Sequence, residues 1–266
     1  MKLKNILVHV DSGTRTMVRL NVAILLAQRN DARLVGVFGQ RSHAEQVGLV
    51  INWPSREYIE TVEAAKALFD RATSDLPNSG WHDINRGSDK EILKQITRYS
   101  RYGDLMVLGQ QDCLSNDAIS SFLAEEVAIT SGRPVLLVPR SGDVSNVGRR
   151  PLIVWNDSRE AVRALNDSLA LMEEGAEATL VSVAKTDDEA RQSALEVECY
   201  LACHGIASIT EIHTECTMGI WEFVLNRIAE SGADLLVIGA HRQVGFPFVR
   251  CEVVLNETTV PVISSS

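Results

Sequence analysis

Hydrophobic and polar positions along this chain fall into two alternating rhythms. Short apolar runs, Ile6–Ser12 (ILVHVDS) and Leu152–Ser158 (LIVWNDS), read as strands, and each is followed by a stretch of helical periodicity. In the second stretch Val162, Leu165, Leu169 and Met172 recur at intervals of three and four, the stripe of an amphipathic helix. Next come Arg33–Gly39 (RLVGVFG) and Thr179–Lys185 (TLVSVAK), β-branched runs of the kind buried on both faces of a parallel sheet. Strand, helix, strand is a βαβ unit, and the chain writes it twice.

Both halves continue alike. A helical stretch (EYIETVEAAKALFDRATSDL or DEARQSALEVECYLACHG) precedes a weaker strand (WHDIN or SITEIHTE), then another helix (DKEILKQITRYSRYG or IWEFVLNRIAESGA). That helix leads into DLMVLGQQD (Asp104–Asp112) or DLLVIGAHR (Asp234–Arg242), and each half closes with one more helix and a short strand, RPVLLVP or VPVISSS. The order predicts an α/β protein of two tandem doubly wound, mainly parallel five-stranded sheets, with a ligand crevice at the carboxyl ends of the strands. The expected domains are 1–141 and 151–266, joined by a linker at 142–150, where Gly, Ser and Arg replace apolar periodicity. Between its second strand and second helix the first half carries Gln40–Arg56, which the second half compresses to TDD. This insertion is expected to form a loop with a short helix over the crevice mouth.

Composition narrows the class. The chain has 266 residues, 45% hydrophobic and 23% charged, as in an ordinary globular protein with an aliphatic core. Residues 1–146 hold 17 basic and 17 acidic residues, so the net charge of −9 sits wholly in the second half. A negative field disfavours nucleic acid and anionic membrane as partners. No apolar window reaches the length of a membrane span, and the N-terminus lacks a signal pattern, which points to a cytoplasmic protein. Five scattered cysteines suit free thiols in a reducing compartment.

The element order, an Asp closing the first strand (Asp11, Asp157), the phrase D-L-[LM]-V-[LI]-G and the terminal P-V-[LI] strand together resemble the universal stress protein family in its tandem form, within the adenine nucleotide alpha hydrolase-like fold. The resemblance implies a pseudo-dimer joined through the last strands. In nucleotide-binding members the first-strand Asp meets adenine, second-strand backbone flanks the base, and a Gly-x-x-Gly, nine residues, Gly-Ser/Thr loop wraps the phosphates. Asp11 with Val37, and Asp157 with Val183, match the first two features, and Gly109 and Gly239 open the loops.

The rest of the loop departs from the pattern. Asp112 stands at the second glycine position, with Ser121 and Phe122 at the Gly-Ser pair. A carboxylate facing a polyphosphate repels it by roughly 4 kcal/mol per charge pair at about 4 Å and an effective dielectric near 20. In the second half His241 and Arg242 follow Gly239, and Phe248 and Val249 take the Gly-Ser positions. His241 and Arg242 can meet an anion by side-chain charge, which makes this half the candidate for a retained site for ATP or AMP. A solvated Arg242 is the competing reading. For Asp11 and Asp157 the competing reading is a helix cap, favoured for Asp11, and for Gly109 and Gly239 a sharp turn after a buried strand.

Other groupings are weighed alike. Cys199 and Cys203 lie at i and i+4 on a helix, with His204, His213 and Cys216 nearby, but no C-x-x-C accompanies them and no metal is assigned. Thr14, Arg15, Arg19 and Arg29 form a mildly basic face, read as solvated, and Trp155 is read as buried packing. No nucleotide, metalloprotease or nucleophile-elbow motif is present. The expectation is a stress-response protein that binds rather than catalyses, with the phosphate loop lost in the first half and altered in the second. The alternative is an ATP- or AMP-binding protein with slow hydrolysis in the second half. A homodimer and an unknown protein partner, met through Gln40–Arg56 and the acidic half, complete the expectations.

Overall fold

A computed structural model describes residues 2–40, 45–47, 50–52, 54–84, 88–110, 119, 123–214, 219–240 and 257–266. The chain divides into two compact units, Lys2–Arg133 and Pro134–Ser266.

The first unit begins with β1 (Asn5–Val10), α1 (Thr16–Asn30) and β2 (Arg33–Phe38). Two short antiparallel strands follow, β3 (Glu45–Val47) and β4 (Val50–Asn52), where the sequence suggested a short helix. The β-branched pair Val50 and Ile51 suits extended backbone better than a helical turn. Then come α2 (Arg56–Ala72), β5 (Ser79–Asp83), α3 (Asp89–Ser100), β6 (Leu105–Gly109) and α4 (Leu123–Ser131). Strands run in the order β5-β2-β1-β6, all parallel, with Ile6 opposite both Leu34 and Leu105. Apart from Asn5 and Arg33 at their starts, β1, β2 and β6 are buried residue after residue, because helices cover both faces of a parallel sheet.

The second unit holds β7 (Val135–Val138), β8 (Pro151–Trp155), α5 (Arg159–Ser168), β9 (Glu177–Ala184), α6 (Asp187–Cys203), β10 (Ala207–Thr214), α7 (Ile220–Ser231), β11 (Leu235–Gly239) and β12 (Val262–Ser265). Its order is β7-β12-β11-β8-β9-β10, parallel except that β7 and β12 pair antiparallel, Leu136 opposite Ile263. The strand that closes the first repeat thus pairs with the strand that closes the second. Local chemistry starts the helices: Ser55, Ser158 and Thr186 accept the backbone N–H of Tyr58, Ala161 and Glu189, respectively.

The acid of the repeated phrase has the same job in both halves. Asp104 Oδ2 accepts the backbone N–H of Lys4 at 2.7 Å and of Asn5 at 2.9 Å. Asp234 Oδ1 accepts those of Gly148 at 3.1 Å and Arg150 at 2.9 Å, and its Oδ2 that of Arg149 at 2.9 Å. The Asp104 and Asp234 amides return the bond to the Asn5 and Arg150 carbonyls. The carboxylate thereby fixes where each first strand begins, and residues 148–150 are tied to the segment leading into β11.

Candidate functional site

The carboxyl end of β1 carries the first candidate set. Val37 is buried in register with His9, and Asp11 follows the strand by one residue. Helix α1 begins at Thr16 with no side-chain cap, so Asp11 is not a helix cap; its Oδ1 accepts the Gly13 N–H at 2.9 Å in the turn before the helix. The same oxygen takes the Thr16 hydroxyl and lies 2.9 Å from Arg19 Nη2.

Arg19 corrects the reading of α1 as a solvated basic face. Its residue is 3% exposed, and its Nε donates to the His9 carbonyl at 2.6 Å and Nη2 to Thr16 Oγ1 at 3.1 Å. The signal was present in the sequence: Thr16, Leu20, Ala23, Ala27 and Asn30 form the buried stripe of α1, and Arg19 sits inside it. A buried guanidinium needs a partner, and Asp11 supplies it. Gly109, at the end of β6, leaves the room: a Cβ there would lie 2.2 Å from Arg19 Nη1. Asp11 and Gly109, read as two parts of a nucleotide site, are therefore joined by Arg19.

The electrostatics follow from this packing. Burial by itself would push the Asp11 carboxyl up, but the Arg19 guanidinium first, then His9, the Thr16 hydroxyl and the Gly13 amide, hold it below the ordinary carboxylate range. Burial pushes His9 down, against the upward pull of Asp11. The Gly39 carbonyl can only accept, so His9 Nε2 at 2.6 Å donates to it. Nδ1 then carries a lone pair 3.6 Å from Asp11 Oδ2, with no hydrogen-bond partner. Beside Asp11, a cleft of about 520 Å³ opens between Gly13, Met17 and the α2 residues Glu57, Ala64 and Leu68.

The second unit is built differently at the same place. Asp157 follows β8 in the left-handed region, φ 55°, a conformation Asp tolerates better than most residues, and it is exposed. Ser158, not Asp157, caps α5. Val183 is buried on β9. At Gly239 a Cβ would lie 2.7 Å from the Glu160 carbonyl carbon and 2.8 Å from the Ala161 nitrogen, so the first turn of α5 rests directly on the strand end. His241 and Arg242 lie outside the described residues, as do Asp112, Ser121, Phe122, Phe248 and Val249. Trp155 is buried, and its indole N–H donates to Ser193 Oγ at 2.8 Å.

Of the cysteine and histidine grouping, Cys199 and Cys203 are exposed on α6 and His204 sets its ring edge against Tyr200 at 4.8 Å between centroids. His213 is buried and lies 4.8 Å from the Phe223 ring. Cys216 lies outside the described residues. Among the described residues no three His, Cys, Asp or Glu side chains converge on a metal position. None of their helices is long and apolar enough to cross a membrane.

No protein-family model and no curated protein matches the chain. Solved structures do. A universal stress protein from Archaeoglobus fulgidus DSM 4304 superposes with a TM-score of 0.73 at 16% identity, covering 98% of this chain and 96% of that one. The cytoplasmic domain of a prokaryotic cation chloride cotransporter gives a TM-score of 0.52 at 11% identity, covering 99% and 95%. With its parallel sheets, its Asp after each first strand and its glycine at the end of β6 and β11, this chain has the fold of a universal stress protein over nearly its whole length.

Proposed function

We propose that this protein is a cytoplasmic, tandem member of the universal stress protein family that acts by binding rather than catalysis, its first half having given up the nucleotide phosphate site. The observation that carries the reading is Arg19, which pairs with Asp11 at the adenine position and packs against Gly109, where the phosphate loop would open. The carboxylate oxygen that accepts Gly13, Thr16 and Arg19 is spent on the fold, and the guanidinium fills the space beside Gly109. In the sequence, Asp112 adds a negative charge three residues after Gly109, where the resemblance has a glycine. The β7–β12 pairing supports an intramolecular pseudo-dimer through the last strands. Calorimetric titration with Mg-ATP is expected to show no tight binding in the first half, and tight binding at both crevices would overturn the proposal.

The second reading, ATP or AMP binding with slow hydrolysis in the second half, is favoured by one contrast. Asp157 is exposed where Asp11 is committed to Arg19. Under this reading Asp157→Ala and Arg242→Ala each weaken nucleotide binding by roughly tenfold, the loss of one charge-assisted contact. Unchanged affinity in both variants would dispose of it.

A further inference from the structure

Cysteine is among the most buried residue types, yet Cys199 and Cys203 both stand exposed in the last two turns of α6. The opposite face of the helix, Ala190, Ala194, Val197 and Leu201, packs into the core and orients the helix. Residues at i and i+4 lie on one face, with Cβ atoms about 5–6 Å apart. A disulfide needs Cβ atoms at about 3.5–4.5 Å, so the i, i+4 helix spacing sets the two Cβ atoms too far apart for a direct bond. An ion bridging them is a different matter, because two bonds of about the zinc–sulfur length of 2.3 Å, set in a line, would place the sulfurs about 4.6 Å apart, which the helix spacing accommodates.

We propose that Cys199 and Cys203 form a two-coordinate site for a soft, thiophilic monovalent cation, Cu(I). Ligand number decides against zinc, which takes four ligands in a closed site, whereas no third His, Cys, Asp or Glu converges here among the described residues. Thiolate softness selects Cu(I). Binding breaks two S–H bonds, forms two S–Cu bonds and releases both protons to solvent, with the ion entering and staying as Cu(I). The site is independent of the nucleotide crevices and of whether they are filled.

The test uses the full chain carrying Cys113→Ser, Cys216→Ser and Cys251→Ser, titrated without oxygen against Cu(I) held by a coloured chelator. One equivalent per chain is expected to leave the chelator, and Cys199→Ser and Cys203→Ser should each lower the affinity at least tenfold, because either one alone breaks the bridge. Zn(II) offered in the same way should bind more weakly than Cu(I). Single serine variants that retain the parent affinity would overturn the site. Should the triple variant fold poorly, the natural chain is alkylated with and without Cu(I) and the modified cysteines are mapped by peptide mass. Protection confined to Cys199 and Cys203 supports the site, and protection only at other cysteines refutes it.

Discussion

Arg19 Nη2 lies 2.9 Å from Asp11 Oδ1, inside a unit where Arg19 is 3% exposed and the Asp11 side chain 21%. Two charges removed from water in this way hold only as a pair. Arg19→Met is therefore expected to destabilise the protein by about 2–4 kcal/mol, somewhat below the range for fully buried pairs because Asp11 keeps some solvent. Asp11→Asn in the same chain should restore part of the loss. Urea denaturation of the two single variants and the double variant measures the coupling, and strict additivity would mean that the pair contributes nothing.

Gly109→Ala tests the neighbour of that pair. A Cβ 2.2 Å from Arg19 Nη1 forces the guanidinium to move, so a loss of about 1–3 kcal/mol is expected. The same substitution made beside Arg19→Met should cost less, since the shorter side chain withdraws the clash. Thermal melts of both backgrounds compare the two.

Acid should expose His9 before Asp11. Burial holds His9 below its ordinary range, so the unfolded chain takes up the proton first and stability falls as pH drops below about 6.5. The Asp11 carboxyl is held low in the fold, so its contribution is complete above about pH 3.9 and is lost as pH falls further. His9→Gln should remove the fall in stability that begins below about pH 6.5 while keeping the loss below about pH 4. Denaturant midpoints across this range check both steps, and an unaltered upper slope in the variant would assign it to another group.

Asp234→Ala removes the acceptor of three backbone N–H groups, and about 2–3 kcal/mol is expected to go with it. Asp104→Ala, which releases the Lys4 and Asn5 amides, should cost less. Hydrogen exchange at residues 148–150 should rise in the first variant and stay unchanged in the second.

Much of the fold was legible because buried parallel strands and amphipathic helices each impose a period on the chain, and a duplicated sequence repeats it. The sequence by itself determined the βαβ order of Ile6–Gly39 and Leu152–Lys185 and the burial of Trp155. What it left open depended on which side chains meet. Arg19 reads as a surface residue until helix packing sets it against Asp11. Asp104 and Asp234 look like part of a ligand phrase until their carboxylates are seen to hold the first strands. Periodicity encodes which face of an element is apolar, whereas the partner of a buried charge is chosen by contacts between segments far apart in the chain, and only the tertiary structure decides them.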